Sequence, residues 1–98
     1  MTELAERIAQ DGRLIILQEL ARQNDARLNE TSLVYVLDAM GIYRSRDWVR
    51  SQLRALADLD AVKVVEVGTI MVATLTRVGR DHVERRSLLS GVSRPGDA

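Results

Sequence analysis

The hydrophobic period of this chain changes after Asp60, and that change limits the folds open to it. Up to Asp58 apolar residues recur at intervals of three and four; from Ala61 they gather in two runs rich in β-branched residues. Ala61-Val62-Lys63-Val64-Val65-Glu66-Val67 and Ile70-Met71-Val72-Ala73-Thr74-Leu75 flank Gly68-Thr69. Two such runs around a two-residue turn predict an antiparallel hairpin over 62–67 and 70–75. A hairpin is not stable alone in water, so it must pack on the helices that precede it.

Those helices are read from spacing and caps. Residues 3–23 form a first amphipathic helix, with Leu4, Ile8, Leu14, Leu17 and Leu20 on its apolar face. Asp11-Gly12 interrupts it, and the pattern fits either a bend or the end of a short leading helix. Gln23 to Arg27 is polar and reads as a loop. Asn29 caps a second helix, with Thr31 and Ser32 as alternatives, and Leu33, Val34, Val36, Leu37 and Met40 follow before Gly41 ends it. Ser45 caps a third helix to about Asp58, turning Val49, Leu53 and Leu56 inward, with Asp47 on the positive end of its dipole. After the hairpin, Thr76 caps a fourth helix to about Leu89. The expected core joins Leu17, Leu20, Leu33, Leu37, Val49, Leu53 and Leu56.

The expected fold class is mainly α with a small antiparallel β-hairpin: a three-helix core, a wing hairpin and a C-terminal helix. That is the order of elements of a winged helix-turn-helix. Residues 1–90 are expected to form this one domain, and 91–98, which lack a periodic apolar face, a flexible C-terminal tail.

Composition removes several classes of function. A 98-residue chain with 46% hydrophobic and 29% charged residues has the make-up of one globular domain. No apolar run approaches the roughly 18 residues of a membrane-spanning helix, and the first residues lack the basic-then-apolar pattern of a secretory signal. No membrane partner and a cytoplasmic location are expected. The chain has no cysteine, hence no disulfide and no thiolate metal ligand. His82, the single histidine, has no second nitrogen ligand to join it and is expected at the surface or its boundary. No nucleophile–base spacing and no glycine-rich phosphate loop occur. An enzyme is not expected, and no catalytic, metal or cofactor residue is assigned.

The formal net charge is zero, but its distribution is uneven. Residues 1–43 hold seven acids against four arginines, whereas residues 44–54 hold four arginines against Asp47 alone. Residues 77–94 are basic again, and 13 of the 14 basic residues are Arg, whose planar fork suits phosphate and guanine. On the third helix Arg46, Arg50 and Arg54 share one arc, because each step of four residues advances only about 40°. Arg44 extends this ridge into the turn, and Ser51 and Gln52 add polar groups beside it. A recognition helix needs this arrangement: a buried anchor on one face and long basic side chains on the other. Double-stranded DNA is the expected partner, with Arg44, Arg46, Arg50, Ser51 and Arg54 at the major groove and Arg77 and Arg80 on flanking phosphates. The plainer alternative is a solvated helix face without a partner, since Asp47 and Asp58 flank the ridge. Trp48 is expected to pack at the core edge rather than to stack on bases.

The stretch Ser45-Arg46-Asp47-Trp48-Val49-Arg50-Ser51-Gln52-Leu53-Arg54-Ala55-Leu56, the hairpin, and Leu75-Thr76-Arg77-Val78-Gly79-Arg80 carry a resemblance. Together they resemble the winged-helix superfamily of ArsR- and MarR-type regulators, in which Leu-Thr-x-x-Gly is common where the wing's second strand enters the last helix. The whole chain is also similar to a family of small proteins encoded in Mu-like prophages. Asp11-Gly12-Arg13-Leu14, Arg27-Leu28-Asn29-Glu30 and Gly91-Val92-Ser93-Arg94-Pro95 mark that likeness. The resemblance supports the fold; the expected function is a phage or prophage transcriptional regulator, acting as a homodimer on a two-fold operator because a domain this small buries little surface on DNA alone. Wings of this superfamily usually carry Arg or Lys at the tip, but Val67-Gly68-Thr69 is uncharged and Glu66 beside it is acidic. The neutral total charge and the acidic N-terminal half favour the alternative, a winged-helix module that docks on a phage protein in assembly or DNA packaging.

Overall fold

A computed structural model describes residues 2–96 of the chain. The first helix, α1 (Thr2–Arg22), runs without a break through Gly12. That glycine makes room for a neighbour: a Cβ there would lie 2.9 Å from the Trp48 ring. Glycine costs about 1 kcal/mol relative to Ala within a helix, and seating the indole against α1 offsets it.

The chain continues through β1 (Arg27–Asn29), α2 (Glu30–Ala39), α3 (Arg46–Asp58), β2 (Val62–Val67), β3 (Ile70–Leu75) and α4 (Arg77–Val83). Side chains cap three of the helices as their sequences foretold. Asn29 accepts from Ser32 N, Ser45 from Trp48 N and Thr76 from Gly79 N.

The hairpin spans the expected residues, but it is part of a larger sheet. The sheet is three-stranded and antiparallel in the order β1-β3-β2. Arg27, Leu28 and Asn29 pair with Thr74, Ala73 and Val72, so the loop expected over Gln23 to Arg27 holds as far as Ala26 and a strand that was not expected begins at Arg27. Three residues are too few for alternation to show in a sequence, and β1 gains its conformation from the free edge of β3. A second correction concerns α4, which stops at Val83 rather than near Leu89, with Arg85 at φ 64° just beyond.

The segment after α4 also departs from expectation. His82 is fully buried, not at the surface. Its Nδ1 accepts from Leu89 N at 2.9 Å, which places the ring proton on Nε2, 2.9 Å from Ser93 O. Arg13 donates to Gly91 O at 2.7 Å and Ser93 donates to Asp11 at 2.5 Å, while Val92 is buried in the core. Residues 91–93 therefore pack along α1 where a free tail was expected; residues 97 and 98 lie outside the described residues. Polar side chains bonding to the backbone hold this segment, so no apolar period announces it.

The core is the expected one. Leu17, Leu20, Leu33, Leu37, Val49, Leu53 and Leu56 are each no more than 1% exposed. Met71, Ala73 and Leu75 of β3 and Val62 of β2 close it from the sheet side, whereas Val65 to Val67 are exposed. Among the described residues no helix is long and apolar enough to cross a membrane.

The Leu75-Thr76-x-x-Gly79 element has a structural reason. Thr76 caps α4 through Gly79 N at 3.2 Å and donates to Asp60 O at 2.5 Å, which ties the first turn of α4 to the chain leaving α3. A Cβ on Gly79 would run into the Ala61 carbonyl oxygen and lie 2.7 Å from Leu75 Cδ1. Gly79→Ala is therefore expected to destabilise by about 1–3 kcal/mol, as overpacking does, although alanine is the better helix former. A urea midpoint equal to or above that of the parent protein would show that the close approach is not needed.

Candidate nucleic-acid interface

The outward face of α3 follows from its cap and its anchor. Ser45 fixes the first turn, and Val49, Gln52, Leu53 and Leu56 are buried below it. Gln52 accepts from Arg13 Nε at 2.8 Å, so α3 is also tied to α1 through a polar contact. Arg46, Asp47, Ser51, Arg54 and Asp58 are exposed on the opposite side, and Arg50 is half-buried. Thirteen residues make this helix roughly 20 Å long.

The arginines of the ridge are not equivalent. Beneath it lies Glu30, a charged side chain with 0% exposure. Its burial follows from the sheet: Asn29 pairs with Val72, so the next position would set residue 30 opposite Met71. The chain turns into α2 at that point, and the strand can no longer offer a backbone acceptor. The Glu30 carboxylate replaces it, with Oε2 accepting from Met71 N at 2.5 Å. Its other oxygen, Oε1, lies 3.3 Å from Arg46 Nε and 3.6 Å from Arg50 Nε. Arg50 also reaches Glu66 on β2 at 3.5 Å. Glu30 Oε1 accepts no hydrogen bond and Arg50 Nε donates none, so both arginines meet this oxygen as charge against charge.

Each remaining residue singled out from the sequence has a different setting. Arg44 is exposed, donates to Tyr43 O at 3.0 Å and holds its guanidinium 5.8 Å from the Trp48 ring centroid, a cation–π distance. Trp48 is half-buried against the core. Ser51 donates to Trp48 O at 2.7 Å, so its hydroxyl is partly spent on its own helix. Arg54 and Arg77 are exposed, and Arg80 lies 3.9 Å from Glu84. Arg77 and Arg80 stand on α4, and no side-chain bond joins them to the ridge.

Sequence reasoning missed Glu30, and it read Glu66 only as an acid beside the wing tip, not as a partner of Arg50. An acid in the first turn of a helix reads as a dipole partner, and nothing in its spacing reveals a strand edge beneath it.

No protein-family model and no solved structure matches the chain. The chain is 41% identical over 88 residues to the protein named "Uncharacterized protein gp26" of Escherichia phage Mu. That match spans 90% of this chain and 91% of the phage protein. Likeness of this degree along almost the whole of both chains makes this protein a member of the family of that phage Mu protein.

Proposed function

We propose that the protein is a winged helix-turn-helix DNA-binding protein that regulates phage or prophage genes, with α3 in the major groove. The order α1-β1-α2-α3-β2-β3 supports the winged-helix reading, with β2 and β3 as the wing. The observation that carries the function is the outer face of α3, where Arg46, Arg50 and Arg54 rise in one ridge above a buried apolar face. Arg44, stacked toward Trp48, extends it at the N-terminal end. A two-fold dimer is the expected binding form, because a domain this small covers little DNA alone.

The test is duplex binding measured against salt. Retention at low salt and release as salt rises is expected, since phosphate contacts release counterions. Arg54→Ala and Arg77→Ala remove exposed charges without disturbing the core, and each lost phosphate contact should flatten the log–log slope by about 0.9. Failure of the parent protein to bind any duplex at low salt would sink this reading.

Two observations favour a second reading, docking on a phage protein. Tyr35, Met40 and Tyr43 are 69%, 62% and 72% exposed, and Glu30 and Glu66 offset part of the ridge's charge.

A further inference from the structure

We propose that Glu30 is a positioning residue for DNA readout: it holds the Nε edges of Arg46 and Arg50 and turns the Nη pair of Arg46 toward a guanine. The inference rests on the DNA-binding reading of α3. Its first support is that the carboxylate is fixed. Glu30 is fully buried, and Oε2 is committed to Met71 N within the sheet, so Oε1 has one place to be.

The second support is which edge of each arginine meets it. A guanidinium carries donors on two edges, and both arginines approach Oε1 through Nε. The Nη1 and Nη2 pair of Arg46 makes no bond to another described residue. Arg50 differs, because its Nη2 already faces Glu66 at 3.5 Å. The Arg46 side chain is 51% exposed and that of Arg50 only 23%. Arg46 is thus the presented side chain and Arg50 the inner partner that helps to balance the buried charge.

The third support is position. Arg46 is the first residue of α3, and in helix-turn-helix docking the N-terminal residues of the recognition helix contact base edges. Two parallel Nη donors match O6 and N7 of guanine in the major groove. An arginine already paired with a fixed carboxylate loses less rotamer freedom on binding than a free one.

Glu30→Gln tests this. Its carbonyl keeps the acceptor for Met71 N, while its amide sets a donor against the two Nε–H groups. A site is first selected from random duplexes with the parent protein. The ratio of affinities for that site and a scrambled duplex is then measured for the parent, Glu30→Gln and Arg46→Lys. In Glu30→Gln the ratio is expected to fall about ten-fold, concentrated at one G·C pair. The salt slope should stay the same, because both arginines keep their charge. A purely structural role would weaken binding to both duplexes alike. Arg46→Lys, which keeps the charge and lacks the fork, should lose the same selectivity, and it serves if Glu30→Gln does not fold.

A measurement without DNA completes the test. In side-chain NMR of the parent protein, the Nε–H protons of Arg46 and Arg50 should exchange with water more slowly than that of Arg54. An Arg46 proton exchanging as fast as that of Arg54 overturns the proposal, and so does undiminished selectivity in folded Glu30→Gln. A parent protein that binds no duplex overturns the DNA reading and the readout role with it. Slow Arg46 exchange in that case locates the failure in the function rather than in the clamp.

Discussion

Leu53→Ala is expected to lower stability by about 2–5 kcal/mol, through lost transfer energy and the cavity left behind. Leu53 is fully buried within a cluster to which α1, α2, α3 and the sheet all contribute. Neighbours held from several directions cannot all move into the space, which favours the upper part of that range. The chain contains no Phe, and its one Trp is half-buried beside α1 rather than in the centre. The cluster is therefore aliphatic apart from Met71, the one flexible side chain able to relax toward the site. Domains of this size are typically stable by about 5–15 kcal/mol, so one truncation removes a large fraction of the total. At about 4–8 °C per kcal/mol for a domain of this length, the melting temperature should fall by roughly 10 °C or more. The urea midpoint should drop with little change in slope. A loss under about 0.5 kcal/mol, the range usual at surface sites, would mean that α3 presents its other face to the core.

What could be read from the sequence was whatever repeats. The inward sides of α1, α2 and α3 announce themselves through leucines at helical spacing, and all seven expected core residues are buried. The hairpin announces itself through alternation around a two-residue turn, with Val67 paired to Ile70 across Gly68-Thr69. Features that depend on one contact between distant residues leave no period. β1 exists because β3 has a free edge, and Glu30 is buried because β1 ends one residue too early to satisfy Met71. The segment at 87–96 is placed by single bonds to His82, Arg13 and Asp11. The same limit applies to the candidate site. The arc of Arg46, Arg50 and Arg54 was legible in the spacing, but the acid that divides their roles was not.

That division sets the second large effect. Replacing Arg46 and Arg50 together by Ala leaves the Glu30 carboxylate buried with only Met71 N as a partner. Removing one side of a buried ion pair typically costs about 3–5 kcal/mol, because the remaining charge is left uncompensated. Arg46 is 51% exposed and Arg50 23%, so water would reach part of the vacated space. The lower end, about 3 kcal/mol, is therefore expected. Arg54→Ala should change stability by less than about 0.5 kcal/mol, as an exposed site does. Adding Glu30→Gln to the double variant should restore about 1 kcal/mol or more, within the usual coupling between groups in contact. The amide keeps the bond to Met71 N and removes the stranded charge. Thermal and urea unfolding of the four proteins would measure this directly. Equal stability of the double variant and Arg54→Ala would show that Glu30 does not need its arginines. The expected outcome also bears on function. Loss of DNA binding in variants of Arg46 or Arg50 is interpretable only at temperatures where the variant remains folded, whereas Arg54 and Arg77 report on phosphate contact without that coupling.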